Sequence, residues 1–153
     1  MKKYFSAYKG MLLAAGHEDA VVADALSWST HTYQCVHLAD SDQQARDELE
    51  VILTAYQAAV DREKEFNDRA EKESANQKSD RTPEALTEDW IATWCLYGSP
   101  KTVIEHLEPY AELGIGNILC GTTTGPLDER RLAFSNQTIE LLASKVMPKF
   151  VRR

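Results

Sequence analysis

Just two runs in this chain have the make-up of β-strands, and that scarcity limits what it can build. The first is Thr32-Tyr33-Gln34-Cys35-Val36-His37-Leu38-Ala39, rich in β-branched and aromatic residues and closed by the polar cluster Asp40-Ser41-Asp42. The second is Gly116-Asn117-Ile118-Leu119-Cys120-Gly121, a short apolar run between glycines with the character of a strand buried on both sides in a parallel sheet.

Helical periodicity fills most of the remainder. Tyr4, Tyr8, Met11, Leu12 and Ala15 repeat over Lys3 to Ala15, and Gly16 stands where a left-handed helix end is wanted. His17 to Leu26 is brief and mixed in period, which predicts a short helical turn. Ser41 and Gln44 make a capping box; behind them Ala45, Leu49, Ile52, Leu53, Tyr56 and Val60 line one face of a helix expected to run to about Phe66. Residues 68–81 carry Ala70 and Ala75 as their only apolar side chains, so they read as a solvated helix end or mobile loop.

Thr82-Pro83-Glu84 has the form of a cap followed by a first-turn proline, and Leu86, Trp90, Ile91, Trp94 and Tyr97 then continue at helical spacing as a buried stripe. Ser99-Pro100 repeats the device. It leads a helix with Val103, Ile104, Leu107, Tyr110 and Ala111 inward, Pro109 as a predicted kink and Gly114 as its stop. A last helix is expected from about Leu127 to Val146, with Leu132, Ile139, Leu142, Ala143 and Val146 on its apolar face and Pro148 beyond it. Strands alternating with helices predict an α/β fold with parallel strands, mostly helical by residue count, in a single domain over residues 1–153.

Composition narrows the function classes. Twenty-four acidic against 17 basic side chains give a net charge of −7, which leaves no broad positive surface for nucleic acid or anionic lipid. No run approaches the roughly 18 apolar residues of a membrane span, and nothing near Met1 has the form of a secretory signal. Three cysteines, Cys35, Cys95 and Cys120, lie far apart without CxxC spacing, which fits reduced thiols in the cytoplasm. No metal-ligand pattern is present, and Gly114-Ile115-Gly116 fails as a dinucleotide loop because Leu119 holds the place of the third glycine.

Four stretches, in order, carry a resemblance. They are Ala14-Ala15-Gly16-His17; Val36-His37-Leu38-Ala39-Asp40-Ser41-Asp42-Gln43-Gln44-Ala45-Arg46; Tyr97-Gly98-Ser99-Pro100-Lys101-Thr102-Val103-Ile104 and then Leu113-Gly114-Ile115-Gly116-Asn117-Ile118-Leu119-Cys120; and Ser135 to Phe150 with its Met147-Pro148-Lys149-Phe150 ending. Together they resemble the carboxy-terminal part of bacterial-luciferase-like, flavin-dependent (β/α)8 monooxygenases. The resemblance implies a TIM-barrel-like fragment with about two parallel strands and five to six helices, FMN as cofactor, and oxidation of an organic substrate by reduced flavin and dioxygen.

A closed barrel of this kind needs eight strands in about 250 residues, so this chain supplies only a fraction of one. Catalytic residues cannot be carried over, because the family's flavin-binding loops come from earlier strands. The expected partners are therefore a second copy of the chain, as a homo-oligomer, or a complementary amino-terminal barrel polypeptide. The alternative is a non-catalytic interaction or ligand-binding remnant.

Barrel active sites gather at the carboxy ends of the strands, which makes His37, Asp40, Cys120, Gly121, Thr122 and Thr123 the candidate pocket residues. Each also has a structural reading. His37 has no acidic partner at fixed spacing, and a structural histidine is favoured over a base. Asp40 beside Ser41 suits a helix cap, and Cys120 suits a core thiol. The hydroxyls of Thr122, Thr123 and Thr124 fit a polar turn as well as they fit a ligand.

Overall fold

The computed structural model describes residues 2–73, 87–123 and 128–150. The chain opens with two helices, α1 (Lys2–Ala14) and α2 (Asp19–Trp28), then the strands β1 (Thr30–Tyr33) and β2 (Cys35–Leu38) and the long helix α3 (Asp42–Glu73). After it come α4 (Glu88–Trp94), β3 (Cys95–Gly98), α5 (Pro100–Leu113), β4 (Asn117–Cys120) and α6 (Glu129–Leu141). A π-helical turn, Leu142–Val146, and a 3-10 turn, Met147–Lys149, end the described chain. The fold is α/β and mostly helical, as the alternation predicts, and no helix among the described residues is long and apolar enough to cross a membrane.

The strands pair in parallel, β1 with β4 and β2 with β3. Backbone amides show how the pairs join: Val36 donates to the carbonyl of Gly121, whereas Gln34 donates to Trp94 and Ala39 to Gly98. In a regular strand, residues of equal parity point their amides to one side. Gln34 and Val36 point to opposite sides, so one residue is interposed at Gln34–Cys35, as in a bulge. The segment Thr30–Leu38 is thus a single bent strand with β4 on one edge and β3 on the other.

The same irregularity switches the side chains. Tyr33 before the bend and Val36 and Leu38 after it share one core with Leu96, Val103, Leu107 and Val146. Cys35 turns to the other face, into a core with Leu49, Ile52, Leu53, Trp90 and Cys95. A third cluster of Val22, Leu26, Tyr110 and Ile115, joined by Phe5, Leu12 and Leu113, seats α1 and α2.

Several expectations need correction. The first predicted strand is bent at Gln34 into β1 and β2, and a strand absent from the prediction, β3, takes Tyr97 out of the tryptophan helix. Helix α4 is therefore short, capped by Thr87, whose side chain accepts from the amide of Trp90; the expected cap at Thr82-Pro83 lies outside the described residues. The expected turn over His17–Leu26 is the full helix α2, and α3 extends past Phe66 to Glu73, so 68–73 are helical while 74–81 are not described.

The strand β4 is not buried on both sides: Ile118 and Cys120 are half-buried, while Asn117 and Leu119 are exposed. In α1 the packing residues are Phe5 and Leu12, not Tyr4, Tyr8 and Met11. In α6 Leu132 and Ile139 are exposed, and Ser135 and Thr138 are the buried residues, for a reason given below. The Ser99 cap and the left-handed Gly114 end of α5 stand as expected, and the helix runs through Pro109.

Gly121 closes the junction between β4 and the bent strand. Its amide donates to Tyr33 and its carbonyl accepts from Val36, and a Cβ there would lie 2.4 Å from the carbonyl oxygen of Gln34. Gly121→Ala is expected to destabilise the fold by about 1–3 kcal/mol through forced backbone shifts. Gly10→Ala, in α1 with nothing within 4 Å of the added methyl, is expected to stabilise it by about 0.5–1 kcal/mol. Urea unfolding midpoints of the two variants would check both signs.

Candidate functional site

The carboxy end of β2 meets the starts of α3 and α5 and the inner face of α6. His37 projects from β2 beneath α6 and is 1% exposed. Its Nε2 lies 2.7 Å from Oε2 of Glu48 in α3, and its Nδ1 lies 3.2 Å from the hydroxyl of Thr138 in α6. That hydroxyl accepts the amide of Leu38 at 3.1 Å, which leaves its proton for Nδ1. The bonding thus assigns the imidazole proton to Nε2, donating to the Glu48 carboxylate.

Gln44 donates from its side chain to the other Glu48 oxygen, and Gln137 donates to the carbonyl of Leu38. Phe134 covers the His37 ring with centroids 5.5 Å apart, and the Arg130 guanidinium stands over Phe134. This network explains the buried polar face of α6. Thr138 turns toward the strands because the free Leu38 amide at the end of β2 requires a partner, and Ser135, three residues before it, turns to the Thr122 hydroxyl beyond β4.

Burial lowers the His37 pKa below the ordinary 6.5, and the opposing pull of Glu48 is the smaller effect. The contact is therefore a hydrogen bond from a neutral ring at neutral pH, not an ion pair. With both nitrogens engaged and the ring enclosed, His37 is a structural clamp, and its acidic partner, missed from local spacing, comes from a turn of α3.

A second junction lies beside it. Asp42 in the first turn of α3 accepts the backbone amide of Ser99 at 2.6 Å and the hydroxyl of Thr102 at 2.9 Å. Those bonds hold the Asp42 carboxyl below its usual range and tie α3 to the amino end of α5. Ser41, not Asp40, caps α3, accepting the amide of Gln44 at 3.2 Å; Asp40 is exposed at the rim.

The remaining candidates sit apart from His37. Cys120 is half-buried at the end of β4, and burial raises its thiol pKa, which suits a core cysteine and not a nucleophile. Gly121 is the backbone wedge described above. Thr122 accepts a hydrogen bond from Ser135 at 3.3 Å, and Thr123 is exposed. Helix α6 joins the two groups by side chains, through Ser135 to Thr122 and through Thr138 to His37, and Gly121 joins them by backbone bonds to Tyr33 and Val36.

Two open clefts flank the strands. One, of about 800 Å³, lies between α3, α4 and β3 and includes Asp42, Arg46, Glu50, Cys95 and Tyr97. The other, of about 890 Å³, is mainly apolar and includes Tyr110, Ile118, Cys120, Val146, Lys149 and Phe150. Among the described residues no group of three or more His, Cys, Asp or Glu could hold a metal ion.

A family model described as luciferase-like monooxygenase matches residues 1–117, so the chain belongs to that family. The match covers the strands β1 to β3 and both junctions at the end of β2, apart from the α6 residues, while the resemblance noted over Ser135 to Phe150 lies beyond it.

No curated protein matches the chain. One similar solved structure is the oxygenating constituent of 3,6-diketocamphane monooxygenase from the CAM plasmid of Pseudomonas putida, a type II Baeyer-Villiger monooxygenase in complex with FMN. It is 23% identical, with a TM-score of 0.49, over 98% of this chain and 40% of that one. The present chain thus spans well under half of that protein's length.

The His37 clamp carries a pH signature. Because its folded pKa is lowered, the unfolded chain binds more protons between that value and about 6.5, so stability falls as pH drops through this window. His31, also lowered chiefly by burial, acts in the same direction. Urea midpoints should decline from about pH 7.5 to about pH 5.5 in the native chain and decline less steeply in His37→Gln. Thr138→Val should cost about 1–3 kcal/mol by stranding the Leu38 amide, measurable by the same titration at pH 7.5.

Proposed function

We propose that this chain is the carboxy-terminal portion of an FMN-dependent monooxygenase that oxidises an organic substrate with reduced flavin and dioxygen, and that its flavin site requires further polypeptide. The family membership carries the first half of this reading. The second rests on the geometry at the end of β2, where Leu38 and Ala39 are 0% exposed beneath α6. No flavin-sized enclosure opens there among the described residues.

The two clefts do not fit the cofactor. Each is open, and each includes a single Lys or Arg, Arg46 in one and Lys149 in the other. No chemical step is therefore assigned to His37, Asp40, Cys120, Gly121, Thr122 or Thr123. In this reading the chain forms one domain equivalent to the last part of a (β/α)8 barrel, works in the cytoplasm, and contributes walls and helix anchors.

A partner is part of the proposal. Parallel strands are ordinarily covered on both faces, yet Leu119 is 60% exposed on β4 and Trp28 is 78% exposed at the end of α2. An amino-terminal barrel polypeptide would cover them and complete the site. A second copy of this chain is the other reading these exposed side chains favour, with the chain then a non-catalytic remnant.

The test is a fluorescence titration of FMN with the chain, alone and co-purified with the amino-terminal part of a family barrel. No quenching by the chain alone at about 10 µM and recovery of binding and substrate oxidation in the complex is the expected result. Turnover of an aldehyde by a monomer of this chain with reduced FMN would overturn the reading, and a flavin-free homodimer that excludes the barrel polypeptide would favour the remnant.

A further inference from the structure

Cys35 and Cys95 stand directly opposite each other in the register of β2 and β3. They are 2% and 5% exposed, and both belong to the apolar core under α3 and α4. Their thiols hydrogen-bond to one another. Cys120, the third cysteine, lies on β4, away from this core.

Two features set this pair apart from ordinary buried cysteines. Neighbouring strands run about 4.8 Å apart, inside the roughly 4.4–6.8 Å Cα separation that disulfides span. In addition, Cys95 borders the open cleft of about 800 Å³ between α3, α4 and β3, alongside Leu49, Ile91 and Tyr97. A small molecule in that cleft meets Cys95 first, with Cys35 behind it.

We propose that Cys35 and Cys95 form a dithiol modification site, oxidised by a small peroxide to a disulfide that ties β2 to β3. Cys95 loses its proton to water and its sulfur attacks one peroxide oxygen, breaking the O–O bond and giving a sulfenic acid and water. The Cys35 sulfur then displaces the sulfenic oxygen, which leaves as a second water with the Cys35 proton. Overall, two thiols and one hydrogen peroxide become one disulfide and two waters, with both sulfurs oxidised and both peroxide oxygens reduced.

The reaction is slow in the closed fold, since the hydrogen bond with Cys35 and, after it, burial keep the Cys95 thiol protonated. A thioredoxin-type dithiol reductant would reverse it, and the bond would hold the end of β2 whether or not a flavin is bound nearby. The site stands on strand register and cleft access and is independent of the proposed flavin chemistry.

The experiment treats the full chain with excess hydrogen peroxide. Free thiols counted after denaturation should fall from three to one. The intact mass should drop by about 2 Da per chain, and a peptide map should join the Cys35 and Cys95 peptides, all reversed by dithiothreitol. Cys120→Ala should keep the change, and Cys35→Ala and Cys95→Ala should lose it. Should the alanine variants fail to fold, the maps of the native chain and Cys120→Ala decide alone. A bridge to Cys120, a bridge between chains, or sulfinic products without a cross-link would overturn the proposal.

Discussion

One extra residue at Gln34–Cys35 decides what the rest of the molecule can do. In an unbroken strand His31, Tyr33, Cys35 and His37 would share a face. The bend instead leaves Tyr33 with Val36 and Leu38 against α5 and sends Cys35 into the core beneath α3 and α4. His37, of the same parity as Cys35, thereby meets Glu48 and Thr138. Gly121 holds the bend by bonding Tyr33 and Val36 across it, in a space too small for any side chain.

The parts of the structure that were legible in the sequence are those set by local chemistry. Ser99-Pro100, Ser41 with Gln44, and Gly114 announce helix ends because a cap is satisfied within one turn. The parts that were hidden depend on distant partners. Trp90, Ile91, Trp94 and Tyr97 keep helical spacing across a boundary, and only pairing with Cys35–Leu38 converts Cys95–Gly98 to strand. Glu48 is 11 residues from His37 and Thr138 is 101 residues away, so no window on the sequence joins them. One sign was available: Glu48 is a charged residue beside the apolar stripe of Ala45, Leu49 and Ile52, where a partner must be found.

The candidate site illustrates how polar burial can mimic catalysis. A histidine bonded to a carboxylate and a hydroxyl is the grouping expected of an acid–base device, yet function requires a nitrogen that reaches substrate. Here both nitrogens are used internally, and the hydroxyl of Thr138 is itself engaged with the Leu38 amide. The bonds are worth most where they are: each satisfies a group that would otherwise be stranded at the end of a buried strand. Their product is the position of α6, which also reaches Thr122 through Ser135.

Helices, more than strand pairing, order this small set of strands. Two or three parallel strands cannot close on themselves, so their stability has to come from the helices laid on them and not from a continuous sheet. Helix α6 clamps β2 by side-chain bonds, α3 clamps α5 through Asp42, and α5 fills the opposite face with Val103 and Leu107. All of these anchors join elements of this chain. On β4 the Asn117 side chain donates to the carbonyl of Ser27 in α2, whereas Leu119 stays exposed.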